Sequence, residues 1–394
     1  YSTYRGLQPQ TEAVQSICLG CSVGCGVLLR TRDNHLLRIE SNWEAPVNRG
    51  LLCEDGRFKP LYRQEKRLHT PLLRRNGTQK PATWEEALHV ITGRMASSVP
   101  LAALISTRQP NESMAAFIRL FRDTLQADVV TSIEEGYVTH PRLEASLATR
   151  RRATLKDLQD ADCVLVLGAD LSRKHQVAGF LIRRRVPEHL SLITCTREES
   201  PLDAQADVIL RDESDLRVLR ALMGEAESPP QAAAAARLLE SAQKAVIIVG
   251  RGFTSHATIE SVEALLELAR RFDARLLPLY GKANSRAAID YGLQTPFDGH
   301  GMQAACIFLG DDSPHPALLQ RLEGVPFVLV QAAYESELTR RADVVLPAAT
   351  WEEQSGHYIN LQGNLQKAQA AIRPPAGIPT VLETLQRLHA AMRG

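Results

Sequence analysis

Ser16 to Val27 reads SICLGCSVGCGV, and Leu51 to Phe58 reads LLCEDGRF. Together they set Cys18, Cys21, Cys25 and Cys53 in the spacing C-x2-C-x3-C-x27-C. Three thiolates on one compact loop reach three corners of an iron-sulfur cubane, while a residue returning from elsewhere takes the fourth. The spacing therefore points to one [4Fe-4S] cluster. A structural zinc site more often shows two C-x2-C pairs, or two cysteines with two histidines, and stands as the alternative metal. Disulfides are the weakest reading, because the seven cysteines are an odd number with no paired framework. Cys163, Cys195 and Cys306 lie in or beside apolar runs such as ADCVLVLG and AACIFLG. A free cysteine in such a run behaves as a small buried hydrophobe.

Between the third and fourth cysteines, GVLLRTRDNHLLRIESN alternates as a hairpin around Asp33 and Asn34. Pairing those strands brings Cys53 back towards the first three, so residues 1–75 read as a small β-rich cluster domain. From Pro81 the texture changes. Thr83 and Glu86 form a capping box ahead of a helix that leads into LAALIS. Strand-like runs near 127–131, 161–167, 190–194 and 206–210 alternate with helical segments at 112–126 and 214–225. GEAESPPQ, at 224–231, reads as a polar linker. A second series follows: a helix at 231–243, AVIIVG, a helix at 256–272, then RLLPLY, CIFLG, PFVLV and ADVVLP. Short fully apolar strands alternating with helices imply an α/β fold of two doubly wound, Rossmann-like parallel-sheet units. The expected division is 76–226 and 227–394. Ligands of such sheets sit at the carboxyl ends of strands. Those loops are Ser106 to Arg108, Gly168 to Asp170, Thr196 to Glu198, Gly250 to Gly252, Gly281 to Ser285 and Gly310 to Ser313.

Other chemistries are poorly represented. With 46 basic and 45 acidic residues the net charge of +1 gives no footprint for a nucleic acid. Apolar runs are far shorter than the roughly 20 residues of a membrane helix, so membrane association is expected only through partners. VIIVGRGFTSH lacks a third glycine, and the next strand ends without an acidic residue for a ribose; a plain tight turn is the better reading than a NAD site. There is no G-x-S-x-G and no H-E-x-x-H. His175 and His140 read as packed or capping residues, Glu352 and Glu353 as shapers of a loop. Arg150 to Arg152 and Arg183 to Arg185 read as solvated helix faces or subunit contacts. Cysteine usage, and no charged-then-apolar leader, lead us to expect a cytoplasmic setting, with a segment missing upstream of Tyr1 or a processed start.

The cysteine pattern, R-L-x-x-P-L (Arg67 to Leu72), TWEEAL, GADLSRKH, YGKANSRAAIDYG and ADVVLPAATWEEQSGHYINLQGNLQ occur in the order of the molybdopterin oxidoreductase superfamily, which the chain resembles along its whole length. Within it, SICLGCSVGCGV and LLCEDGRF look most like the large iron-sulfur protein of the 75-kDa type in the peripheral arm of respiratory complex I. That resemblance implies an electron-transfer and scaffolding subunit of an NADH:quinone oxidoreductase, or a region of one, with no catalytic site of its own. Its cluster ligands would be Cys18, Cys21, Cys25 and Cys53, and molybdopterin would be absent. Its partners would be a flavin- and NADH-binding subunit and ferredoxin-like domains, on the inner face of the cytoplasmic membrane. The other reading is a molybdenum or tungsten bis-pterin oxidoreductase of the formate dehydrogenase type. Those enzymes resemble the chain less where they place a lysine after the fourth cysteine, because Glu54 and Asp55 stand here. They also carry a cysteine or selenocysteine before a histidine, where this chain has Thr139 and His140; threonine is a poor ligand for a soft metal.

Overall fold

The computed structural model describes residues 10–95, 99–134, 141–147, 152–225 and 229–392. β1 (Glu12–Ile17), β2 (Gly26–Arg32) and β3 (His35–Ser41) form an antiparallel sheet in that order. Asp33 and Asn34 both take positive φ, 51° and 60°, as the tight turn of a hairpin demands. Ile17, Val27, Leu29 and Ile39 pack against Trp351, Tyr358 and Ala368, so this small sheet shares its core with residues more than 300 positions away.

Cys53 leads into the short helix α1 (Glu54–Phe58), and β4 (Leu72–Arg75) and β5 (Thr78–Pro81) form a second hairpin. Thr83 and Glu86 exchange side-chain to backbone hydrogen bonds at 2.9 and 3.1 Å, the expected capping box of α2 (Trp84–Arg94). β6 (Leu101–Ile105), α3 (Asn111–Ile118) and β7 (Val129–Ser132) follow. β8 (Cys163–Leu167), β9 (Ser191–Cys195), β10 (Val208–Leu210), β11 (Ala245–Val249) and β12 (Arg275–Pro278) make a five-stranded parallel sheet, ordered β10-β9-β8-β11-β12. β13 (Ala304–Gly310), β14 (Phe327–Ala332) and β15 (Val344–Pro347) rejoin the earlier strands in a seven-stranded sheet, ordered β5-β4-β15-β14-β13-β6-β7. A last hairpin, β16 (Gly356–Ile359) and β17 (Leu365–Ala368), turns back towards the N-terminal sheet.

Two doubly wound units are therefore present, but their strands do not follow a division at 226/227. β11 pairs with β8 and β13 with β6, so the five-stranded sheet lies within the span of the seven-stranded one. The β4 and β5 hairpin likewise crosses the expected boundary at 75/76 and edges the seven-stranded sheet through β15. Strands buried on both faces read as apolar runs whichever neighbour they pair with, so the sequence pattern carries no pairing information. Of the stretch that read as a linker, 226–228 lie outside the described residues, and Pro230 and Gln231 open the helix Pro230–Ser241, whose Ala232, Ala235 and Leu239 pack onto the five-stranded sheet. No helix among the described residues is long and apolar enough to cross a membrane.

Candidate metal-cluster site

The cysteine loop is the connection between β1 and β2, whose last and first residues, Ile17 and Gly26, face each other. The Cys18 N–H donates to the Cys25 carbonyl at 2.8 Å, closing the loop, and Gly24 (φ 63°) supplies its left-handed turn. The loop is pinned from outside. The Ser22 N–H donates to the Gly281 carbonyl at 3.0 Å, and the Ser22 hydroxyl donates to the Tyr280 carbonyl at 3.2 Å and lies 2.9 Å from His175 Nε2. Gln366 Nε2 donates to the Gly24 carbonyl at 2.9 Å from the last hairpin. Cys53 returns because Asn48, buried in the connection after β3, accepts from the Gly26 N–H at 2.8 Å and donates to the Leu51 carbonyl at 2.7 Å.

The four cysteines border one cavity of about 440 Å³. The Cys18 and Cys53 sulfurs lie 3.0 and 3.6 Å from the point a Cβ on Gly56 would occupy. Backbone N–H groups face the sulfurs: Gly20 on Cys18 at 3.5 Å, Gly56 on Cys53 at 3.3 Å, and those of Val23 and His175 on Cys21. Such donors stabilise thiolates. Burial pushes the thiols up nonetheless, to about 11 for Cys18 and about 12 for Cys21, with their mutual repulsion adding to it. Cys25 and Cys53 are raised too, again chiefly by burial. Four thiolates can occupy this space only with compensating positive charge, which an iron core supplies. No group of three or more His, Cys, Asp or Glu among the described residues is arranged to hold a single metal ion. The donor set and the cavity fit a cluster.

Beyond the cysteines, three of the six expected loops converge. Arg108 grips Asp311 through Nε at 3.2 Å and Nη2 at 2.6 Å, and lines the same cavity. Lys282 bonds Glu134 and Asp312, the latter also receiving the Ser106 hydroxyl. Near these strand ends the charges of Arg108 and Lys282 are paired with Asp311, Glu134 and Asp312. Gly250 and Gly252 have a packing role, as the incomplete dinucleotide pattern suggested: a Cβ on Gly250 would come within 2.4 Å of the Gly168 carbonyl oxygen. Thr196 to Glu198 forms a separate turn tied to Arg211.

His175 is packed, as expected, yet it borders the cluster cavity, with φ 54° and its imidazole driven by burial down to about 4. Glu353 shapes its loop by accepting from the Thr350 N–H at 2.8 Å and pairing with Arg67 at 2.7 Å. Arg152 departs from the reading as a solvated face: it is largely buried, bonding Tyr280 Oη at 2.6 Å and Glu144 at 3.1 Å. Arg150 and Arg151 lie outside the described residues. Thr139 and His140 lie outside the described residues. Ser22, Asn48 and Gly56 do not stand out as site residues in the sequence, whereas Arg108 lies in one of the strand-end loops expected to meet a ligand. Gly56, three after Cys53, is the one with a local signal.

Residues 67–378 match the family described as Molybdopterin oxidoreductase, and residues 11–62 match the Molybdopterin oxidoreductase Fe4S4 domain. The F420-dependent formate dehydrogenase 1 subunit alpha of Methanococcus maripaludis is 23% identical, over 93% of this chain and 68% of that one. NADH-quinone oxidoreductase subunit 3 of Thermus thermophilus is 28% identical, over 92% of this chain and 48% of that one. The chain thus spans about half the length of the latter relative. Acetylene hydratase from Pelobacter acetylenicus shares the fold, with a TM-score of 0.70 at 12% identity over 96% of this chain and 69% of its own.

Proposed function

This chain belongs to the molybdopterin oxidoreductase family, and from that premise we propose that it is an iron-sulfur electron-transfer and scaffolding subunit, or a region of one, of a complex I-like NADH:quinone oxidoreductase. Cys18, Cys21, Cys25 and Cys53 hold one [4Fe-4S] cluster in this reading. The observation that carries it is the cradle itself: four thiols around one cavity, with backbone N–H groups turned onto the sulfurs. Such a cluster, when bound, exchanges single electrons at a potential set by burial and by hydrogen bonds to its sulfurs. The protein's own part is to hold the loop, exclude water and fix the local charge. Ser22 and His175 anchor the loop to the five-stranded unit and Gln366 to the last hairpin, while Asn48 holds the connection that leads to Cys53.

The molybdopterin is absent in this reading. Two features support that: Glu54 and Asp55 follow Cys53, and Arg108 and Lys282 near the strand ends are paired with acidic side chains of the chain itself. The α/β body then serves as a docking platform for a flavin- and NADH-binding subunit and ferredoxin-like domains, on the cytoplasmic side of the membrane. The likeness to formate dehydrogenase alpha subunits over most of the chain supports a second reading, a molybdenum or tungsten oxidoreductase that uses the same cluster. Low-temperature EPR of the reduced protein, with molybdenum and tungsten analysis, separates the two. A cluster signal without either metal is the expected result; about one molybdenum or tungsten per chain, with formate-dependent dye reduction, would support the second.

A further inference from the structure

A fixed charge beside a metal cluster favours one oxidation state over the other, most strongly where water is kept out. The charged side chains that border the cysteine cavity differ in this respect. Lys59, Glu65, Arg173 and Lys174 are exposed; Lys59 and Arg173, 75% and 82% open to solvent, pair with Asp55 and Asp170. Burial holds the His175 imidazole down to about 4, so it is uncharged at neutral pH. Arg108 is 13% exposed and keeps its charge. The turn that closes β6 places it there. The Ser106 N–H donates to the Phe308 carbonyl of β13 at 2.8 Å, the Gln109 N–H returns to the Ser106 carbonyl at 3.1 Å, and the Arg108 N–H donates to the Ser106 hydroxyl at 3.0 Å.

Asp311 follows Gly310, which ends β13 at φ 62°, and its side chain is 3% exposed. Arg108 holds that carboxylate through Nε at 3.2 Å and Nη2 at 2.6 Å, and Arg63 Nη2 lies 3.8 Å from it. Both arginines line the cysteine cavity, whereas Asp311 is not among its lining residues. The group therefore turns its guanidinium side towards the cysteines and keeps its carboxylate behind, two cations against one anion. Asp311 supplies the counter-charge that lets a guanidinium stay out of water at this place. Burial raises the Cys18 thiol, and the charge of Arg108 works against that rise.

We propose that Arg108, held by Asp311, sets the reduction potential of the four-cysteine site by keeping a water-excluded positive charge beside it. The inference rests on the cluster reading above. An added electron makes the site more negative, so the guanidinium stabilises the reduced state and raises the potential, while the carboxylate behind it lowers the potential by a smaller amount. The exposed cations Lys59 and Arg173 are screened by water and salt and contribute little.

The test is an anaerobic redox titration of the full chain, reconstituted with iron and sulfide and followed by EPR, with iron content measured for each variant. Arg108→Gln lowers the midpoint, so that the reduced-to-oxidised ratio at a given applied potential falls about tenfold, ~59 mV for a one-electron couple. Asp311→Asn shifts the midpoint the opposite way, upwards, and Lys59→Gln changes the ratio by less than about threefold. A purely structural role for the pair would lower iron content in both variants without separating them in sign. The double variant Arg108→Gln/Asp311→Asn covers the case in which Arg108→Gln alone strands Asp311 and loses the cluster; its midpoint lies below that of Asp311→Asn. A full cluster signal with an unchanged midpoint in Arg108→Gln, shifts of the same sign in Arg108→Gln and Asp311→Asn, a double variant level with Asp311→Asn, or a shift in Lys59→Gln as large as that in Arg108→Gln overturns this inference alone. An unaltered protein that takes up no iron overturns the cluster reading and the inference together.

Discussion

Gly56 shows how closely the site is built at the level of single residues. A Cβ there would stand 3.0 Å from the Cys18 sulfur and 3.0 Å from Leu52 Cδ1, tighter than ordinary contact, while the residue's N–H faces Cys53. Gly56→Ala is therefore expected to lower iron content per chain while leaving the circular dichroism spectrum unchanged; undiminished iron would show that the loop yields. The thiols carry a pH dependence of defined sign. Without metal, burial raises Cys18 to about 11 and Cys21 to about 12, so both are protonated at neutral pH. Binding needs thiolates and releases those protons, so iron uptake strengthens as pH rises from 6 to 8 and weakens as it falls. The metal-free fold behaves oppositely, because groups raised on folding stabilise it only while protonated. Its stability is complete below about pH 9 and declines as pH rises towards 11 to 12. Iron uptake at several pH values and alkaline unfolding of the metal-free protein measure the two trends.

Among elements, the connection between β3 and α1 is held by one side chain. Asn48 Nδ2 donates to Leu51, Gly26 and the Ser41 hydroxyl at 2.7 to 3.2 Å, and Oδ1 accepts from Gly26. Asn48→Ala would leave buried backbone groups unpaired, at a cost of about 1–3 kcal/mol. Urea unfolding measures that cost, and iron content is expected to fall with it because Cys53 loses its register. The seven-stranded sheet is held differently, by apolar packing. Phe308 on β13 lies 5.9 and 5.6 Å from the rings of Phe117 and Phe121, fully buried. Phe308→Ala should cost about 3–5 kcal/mol, read from the same unfolding curves, without altering the cysteine loop. Elements of this kind were legible in the sequence because each carries a local signal: the turn pair Asp33 and Asn34, the capping box of α2, and the apolar runs that became β8, β11 and β13. Asn48 was not legible, since an asparagine in a loop looks the same whether its amide meets water or three backbone groups.

At the scale of the whole molecule, the α/β character was legible and the path of the chain was not. Pairing of β11 with β8, and of β13 with β6, depends on which apolar surfaces meet in space, and every one of these strands has the same apolar look. The consequence bears on the site, because the pairing of β13 with β6 sets Asp311 against Arg108, which borders the cysteine cavity. The cysteine spacing alone proposed the ligands; the family match over residues 11–62 and 67–378 supplies the setting in which they are read. The most direct test is metal and acid-labile sulfide analysis of the anaerobically purified chain. About four irons and four sulfides per chain, without zinc, molybdenum or tungsten, is the expected result; zinc in place of iron, or about one molybdenum or tungsten per chain, would contradict it.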